Sequence, residues 1–435
     1  MSLKRLSSGA ALWAVLAFAL ILRLGACFWW QSRVPPGHRF EFGDSEAYWI
    51  LATHIAHGEP YEYGSPDARI VRMPGYPLML ATMLSVFGDH MPVLYARLLS
   101  ALLGTAAVAA IYWLTTILFD RRTGTLAALV AACYPGAIAM SMVVLSEAPF
   151  CPLYLAQIAM WIKSWNCGEE SASQQANHQE DEAGKTSGRR QLAWAAASGV
   201  LGGLATLVRP DWLLFVPFVA LAGLPFTRRR GEHLKLALIM SLAVAVVMAP
   251  WWWRSFRVVG RFVPTTLQVG ASLYDGLNPR ATGASDMWFV EGFVAEEHRR
   301  PSAPDQPQEY RLDRRLRNVA LQWATEHPAQ VCRLAVTKFV RMWNVWPNDR
   351  EHGGVLLRLV TAVTYLPTLV GALVGIAITR RKPWPAAIAW LPAVYLTLLH
   401  LVFVSSLRYR EPPMLGLLVF TAAAITRGTR PSSAP

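Results

Sequence analysis

Long apolar runs separated by short charged turns dominate the chain, and most approach the ~20 residues that cross a hydrocarbon core as a helix. Runs at about 10–30, 92–118, 125–143, 150–165, 191–207, 212–226, 234–253, 355–378, 384–404 and 414–426 predict ten spans. Two polar stretches interrupt the pattern, one at 31–91 and one at 254–354. In the first, the spacing of Tyr48, Leu51 and Ile55 after Asp44 is helical and predicts an amphipathic helix on the membrane surface, ended by Gly58 and Pro60. Met73-Pro74-Gly75-Tyr76-Pro77 reads as a stiff turn that opens a second short apolar helix, stopping near Gly88. In the second stretch, residues 331–346 mix apolar and aromatic side chains with Arg333, Lys338 and Arg341, as a surface helix would. Residues 166–190 are polar, with few large apolar side chains, and read as a disordered loop. The expected fold is an all-α polytopic membrane protein. An N-terminal transmembrane module at 1–253 carries the outer loop 31–91, a hydrophilic outer segment covers 254–354, and a C-terminal transmembrane module covers 355–435.

Composition agrees with this pattern. Hydrophobic residues make up 54% of the chain and charged residues only 16%, too few to clothe a soluble protein of 435 residues. The net charge of +13 therefore does not signal nucleic acid, because the basic residues gather between apolar runs, where orientation signals belong. With the N-terminus in the cytoplasm, Arg121/Arg122, Lys163/Lys185/Arg189/Arg190, Arg228–Arg230, Arg380–Lys382 and the tail residues Arg427 and Arg430 all fall inside. Both termini are then cytoplasmic, and the long segment 254–354 lies outside. The five cysteines, at 27, 133, 151, 167 and 332, form no metal or disulfide pattern. The start resembles a signal peptide, but Arg23 breaks its apolar run and Phe28-Trp29-Trp30 continue it as an interfacial anchor, so an uncleaved first helix is expected.

This orientation places Asp44, Arg72, Glu147, Arg209, Asp211 and the Arg408–Arg410 turn on one outer face. Ionisable groups within spans cost about 2.5–3.5 kcal/mol each on insertion scales and tend to persist where a site needs them. An acid at the mouth of the bundle beside a fixed arginine suits a catalytic floor; the alternative is a solvated loop. Arg209 and Asp211 also read as a rim ion pair stapling two helices. Arg408 and Arg410 read as an anion grip or as side chains snorkelling to head groups. His54 and His57 read as solvated helix histidines, with metal binding the rival. Asp275, Asn278 and Asp286 read as a substrate lid or an ordinary turn. Gly371-x-x-x-Gly375 reads as a helix-packing seam or as chance in a Gly/Ala-rich span.

The order of motifs is familiar. G-D-S-E-A-Y-W is followed by R-M-P-G-Y-P-L, S-E-A-P, V-R-P-D, P-W-W-W-R-S-F-R-V-V-G-R-F-V-P-T-T, G-L-N-P-R-A-T-G and S-L-R-Y-R-E-P-P. Over about 10–426 this resembles the C-type (GT-C) glycosyltransferase superfamily, in particular bacterial family-39-like proteins related to protein O-mannosyltransferases and the lipid A aminoarabinose transferase. The resemblance implies a GT-C-like bundle in the bacterial inner membrane. It also implies an inverting transferase that takes a sugar from a polyprenyl-phosphate carrier at the outer face. By motif, Asp44 stands as the catalytic base, Arg72 faces the carrier phosphate, and Glu147 is a second acid at the rim. Ser45 separates Asp44 from Glu46 where several relatives have adjacent acids, so Glu46 shares or replaces the role. Tyr76, Arg209, Asp211, Arg408, Tyr409 and Arg410 complete the candidate binding set. The hydrophilic segment between spans seven and eight departs from some relatives and leaves the acceptor (lipid, glycan or protein) open.

The chemistry fits without the family. Transfer from a sugar phosphodiester gives the leaving phosphate added negative charge, which fixed arginines stabilise more in the transition state than in the ground state. An acceptor hydroxyl needs a carboxylate to take its proton. No Gly-rich phosphate loop is present, which argues against a nucleotide-sugar donor. The residues neither require nor exclude a divalent metal. A transporter or flippase of lipid-linked sugars is the rival from another class, and the opening of the polar breaks to one face argues against it. A reporter fused after Ser187 is expected to read cytoplasmic and one near Pro304 to read non-cytoplasmic. The reverse at either point would scatter the candidate residues over two faces.

Overall fold

The computed structural model describes residues 8–35, 38–40, 42–176, 182–300, 307–346, 355–380 and 384–428. Of the basic clusters expected on the inner side, Arg381, Lys382 and Arg430 lie outside them. Among the described residues the secondary structure is helical, without strands. In chain order the helices are α1 (Ser8–Gln31), α2 (Gly43–His57), α3 (Gly75–Phe87), α4 (Val93–Leu118), α5 (Arg121–Cys133), α6 (Pro135–Met142), α7 (Glu147–Ala176) and α8 (Glu182–Val208). A 3-10 turn (Pro210–Trp212) follows, then α9 (Phe215–Ala222), α10 (Arg230–Val259), α11 (Val269–Gly276), α12 (Trp288–His298) and α13 (Gln308–Glu326). The last four are α14 (Pro328–Trp343), α15 (Val355–Thr379), α16 (Ala387–Val402) and α17 (Leu407–Gly428).

Among the described residues, five helices (α1, α4, α8, α10 and α15) are long and apolar enough to cross a membrane, and α5 with α6 makes a sixth when the pair counts as one broken span. This is a multi-pass membrane protein. The expected run 125–143 is not one straight helix: α5 and α6 meet at 58°. The cause is Pro135, which pushes Tyr134 to an extended ψ of 117° and brings no N–H to the Ala131 carbonyl one turn back. Arg23 of α1 supplies the missing donors. Its guanidinium reaches Ala131 O at 3.3 Å and Ala132 O at 3.4 Å, so a buried charge in the first span caps a broken helix. The disordered loop expected at 166–190 is also overturned where it is described. Helix α7 runs on to Ala176 and α8 begins at Glu182, in keeping with the good helix propensity of Ala, Glu, Gln and Lys; residues 177–181 lie outside the described part. Helix α10 likewise continues past Trp253 to Val259.

Helices α2 and α3 form where the sequence predicts them, and they pack on each other through Tyr48, Trp49, Tyr76 and Leu80. An aromatic column stiffens the bundle. Trp212 stacks on Phe215 at 3.9 Å, meets Phe150 edge-on at 5.0 Å and donates its indole N–H to Gln157 at 2.7 Å. Such ring pairs add about 0.5–1.5 kcal/mol each beyond burial. Asp275 accepts from Ser285 Oγ at 2.7 Å and from the Asp286 N–H at 2.8 Å, while the Asn278 side chain accepts from the Arg280 N–H at 2.8 Å. These three residues therefore shape a turn. His57 pairs with Asp89 at 2.7 Å. Helix α14 leaves Val336, Phe339 and Val340 exposed along one side, as a membrane-surface helix would.

Gly371 and Gly375 face α17 within the same chain, so the Gly-x-x-x-Gly pattern is an internal seam. A Cβ on Gly375 would collide with the Phe420 carbonyl oxygen, a backbone atom that cannot swing aside. Gly375→Leu is expected to lower stability in detergent by about 1–3 kcal/mol, read as a fall in melting temperature. An unchanged melting point would mean that α15 and α17 do not pack this closely.

Candidate active site

One end of the bundle gathers charges from five parts of the sequence. Asp44 sits in the first turn of α2, and Arg72 lies in the irregular segment just before α3. Glu147 opens α7, where the unpaired N–H groups of a helix start favour a carboxylate. Arg209 and Asp211 flank Pro210, which stops α8 and begins the 3-10 turn. Arg408 is in the first turn of α17.

These six side chains form one alternating chain of charges. Arg72 donates from Nη2 to Asp44 Oδ1 at 2.6 Å. The other Asp44 oxygen accepts from Arg408 Nη1 at 2.9 Å, across 364 positions of sequence. Arg408 also grips Glu147, with Nε to Oε1 at 2.5 Å and Nη2 to Oε2 at 3.2 Å. Glu147 Oε1 accepts in addition from Arg209 Nη1 at 2.7 Å, and Arg209 Nη2 donates to Asp211 at 2.7 Å. Three guanidiniums and three carboxylates balance, which lets so many charges sit at the edge of hydrocarbon. Exposure is uneven along the chain: Asp44, Arg72 and Arg408 are half-buried, whereas Glu147 is fully buried and Arg209 nearly so. The end at Asp44 faces outward and the end at Glu147 and Arg209 anchors it. Breaking a buried pair from one side costs about 3–5 kcal/mol, so the anchor is rigid.

Burial alone would raise the Asp44 carboxyl, but Arg72 and Arg408 together outweigh it and hold Asp44 below the usual carboxylate range. A folded-state pKa that is lowered contributes stability above the unfolded value of ~3.9 and loses it as pH falls through the lowered one.

Not every expected residue joins the cluster. Glu46 is exposed, on the far side of α2 from Asp44, because two residues of helix turn a side chain by about 200°. It therefore does not share the position of Asp44. The same rotation removes Arg410. The sequence reads 408–410 as a tight break, yet α17 begins at Leu407, so Arg410 points into the protein. There it is fully buried, donates to Glu411 and to the Asn344 carbonyl, and lies 3.8 Å over the Tyr365 ring. Tyr76 is buried behind the site, edge-on to Tyr48 at 5.2 Å, and Arg72 lies 5.9 Å over that Tyr48 ring. Tyr409 stacks on His400 at 4.2 Å and is flanked by the Arg209 and Arg408 guanidiniums, each 5.9 Å from its ring. One residue the sequence did not single out belongs here: Gln268 Oε1 accepts from Arg72 Nη1 at 2.6 Å. A lone polar side chain between Leu267 and Val269 was its only signal.

Among the described residues no three His, Cys, Asp or Glu side chains gather as a metal site. Arg408 bridges the carboxylates of Asp44 and Glu147, an arrangement that offers guanidinium N–H groups to an anion.

Residues 71–172, from the segment of Arg72 through Glu147, match the family described as dolichyl-phosphate-mannose-protein mannosyltransferase. No curated protein sequence matches the chain. Among solved structures it is similar to the oligosaccharyltransferase AglB of Archaeoglobus fulgidus in complex with an inhibitory peptide and a dolichol-phosphate. The identity is 15% and the TM-score 0.60, with 96% of this chain and 50% of that chain covered. The same organism's enzyme tethered to an acceptor peptide matches at 14% identity and TM-score 0.57, covering 96% and 49% of the two chains. The chain thus spans about half the length of these proteins. ArnT from Cupriavidus metallidurans aligns over 94% of this chain and 76% of its own at 14% identity, but its TM-score of 0.42 is below the level at which a shared fold follows. The chain therefore has the fold of the GT-C glycosyltransferases, and inside it residues 71–172 carry the sequence pattern of the mannosyltransferase family.

Proposed function

We propose that this protein transfers a sugar from a polyprenyl-phosphate carrier to an acceptor hydroxyl at the outer face of the membrane, with inversion at the anomeric carbon. The observation that carries the reading is Asp44 held between Arg72 and Arg408, a carboxylate between two guanidiniums at the open end of the charge chain. The carrier phosphate, an anion, competes with Asp44 for both arginines. Each guanidinium is a planar fork suited to two phosphate oxygens. As they turn to the phosphate, Asp44 loses the partners that depress its pKa and gains proton affinity when a base is needed. The acceptor oxygen then attacks the anomeric carbon and its proton passes to Asp44. The bond from that carbon to the phosphate oxygen breaks, and the added negative charge stays on the carrier phosphate between Arg72 and Arg408. Glu147 and Arg209 hold Arg408 in place for this, Asp211 holds Arg209, and the Tyr409 ring packs against both arginines. A single displacement of this kind inverts the centre.

Incubating the purified protein with radiolabelled polyprenyl-phosphate sugars tests the reading directly, by which carrier is consumed. Asp44→Asn keeps size and polarity and is expected to lower turnover by about 100- to 10,000-fold, with expression intact. Glu46→Gln is expected to stay near wild type. Retained activity in Asp44→Asn would remove the base from the scheme. For the phosphate, Arg408→Lys is expected to weaken carrier binding and Arg408→Ala to weaken it more. Combined with Arg72→Ala, the losses are expected to be non-additive, as for two groups gripping one ligand. Strictly additive losses would show that the arginines do not share a phosphate.

A further inference from the structure

Two carboxylates of α13 reach from the outer segment into the strands of backbone that carry the site. Glu309 Oε2 accepts from the Arg69 N–H at 3.0 Å and from the Ile70 N–H at 3.1 Å, and Oε1 accepts from the same Ile70 N–H at 2.9 Å. Asp313, four residues on and so on the same side of the helix, accepts from the Gly270 N–H at 2.6 Å. Both acids are buried. The two backbone segments are themselves joined, the Leu267 N–H donating to the Ile70 carbonyl at 2.9 Å. Gly270 approaches α13 so closely that a Cβ there would collide with the Asp313 carbonyl oxygen. Arg69 and Ile70 lie outside any helix and Gly270 lies in the first turn of α11, so these N–H groups lack a helix partner and need one from elsewhere.

What the segments present is the site. Arg72 comes two residues after Ile70, and Gln268 two residues before Gly270. Arg72 donates from one nitrogen to Gln268 and from another to Asp44. We propose that Glu309 and Asp313 are positioning residues, which fix Arg72 and Gln268 against Asp44 and so make α13 a determinant of affinity for the carrier phosphate. This rests on the transferase reading above.

The latch is also sensitive to protons. Burial pushes the Glu309 carboxyl up to about 7, against the pull of the Ile70 and Arg69 N–H groups and of Arg254. Three charged groups surround it. Arg254, at the end of α10, donates to the Arg69 carbonyl at 3.0 Å. Asp313 is paired with Arg317 at 2.6 Å, and the Arg69 side chain is turned aside to Glu62 at 2.8 Å. Ionised Glu309 accepts both N–H groups. Protonated on Oε1, it loses the 2.9 Å bond from the Ile70 N–H and the charge that strengthens the other two, and the hold on residues 69–70 weakens as pH falls through about 7.

The test uses the full-length protein in detergent with Glu309→Gln, Glu309→Asp and Asp313→Asn. The ligand is a polyprenyl phosphate methyl diester, which carries one charge throughout the range and does not titrate itself. Wild-type affinity is expected to fall from about pH 8 to about pH 6. Glu309→Gln is expected to bind about 10- to 100-fold more weakly, the scale of a small misplacement, with no slope across that range. Glu309→Asp should recover part of the slope, which a general loss of packing would not do. Hydrogen exchange at Arg69, Ile70 and Gly270, with melting temperature as the folding control, reads the latch without any ligand. Glu309→Gln should lose protection at the first two and Asp313→Asn at the third. Unchanged protection overturns the proposal whatever the ligand does. So does wild-type-like affinity and pH slope in Glu309→Gln. If the wild type binds no diester, the transferase reading fails, and exchange alone decides whether α13 holds these segments.

Discussion

Arg408 is the side chain on which the charge cluster depends. It is the only one of the six that bonds both Asp44 and Glu147, so it joins the half-exposed end of the charge chain to the buried end. A charge at the edge of hydrocarbon is tolerable when it is paired and its remaining donors are satisfied. Each member here is paired with its neighbours, although the buried Arg72 Nε has no hydrogen-bond partner among the described residues. The chain must close in three dimensions because no short stretch of sequence contains enough of it. The first surface helix, the starts of α7 and α17 and the break after α8 have to arrive at one place. The aromatic column of Phe150, Trp212 and Phe215 gives that place a firm floor, and the Arg209 guanidinium lies 5.5 Å over the Phe150 ring.

Much of this was legible because membranes make charge conspicuous. Asp44, Arg72, Glu147, Arg209, Asp211 and Arg408 each interrupt an apolar pattern, and the distribution of basic loops puts all of them on one face. Helix α2 was readable from the helical spacing of Tyr48, Leu51 and Ile55, and α3 from the stiff turn at Met73–Pro77 that opens an apolar run. The misreadings share a cause as well. Glu46 and Arg410 were grouped with true neighbours by distance along the chain, whereas a helix rotates them to the opposite side. The long helical extension of α7 and α8 was hidden because polarity without large apolar residues looks alike in a solvated helix and in an unstructured loop.

Gln268, Glu309 and Asp313 were out of reach for a different reason. Each acts on a group roughly 40 to 240 positions away: a side chain for Gln268, backbone N–H groups for the two acids. Backbone donors carry no signature in the residue that owns them, and a polar residue in a hydrophilic segment needs no explanation. Only the folded arrangement shows that α13 touches the segment of Arg72.

The arginine in the first span has a bearing on how such a protein is made. Arg23 finds its carbonyl partners at Ala131 and Ala132, more than 100 positions further along, and finds them free only because Pro135 has broken the helix there. When α1 leaves the ribosome those partners have not been synthesised. The nascent helix must carry its charge in the translocon or toward the lipid head groups, against a cost of about 2.5–3.5 kcal/mol at mid-membrane. It settles only after α5 has been inserted and bent. Helix α1 thus reaches its final seat only after α5 and α6, and the kink at Pro135 serves as its berth.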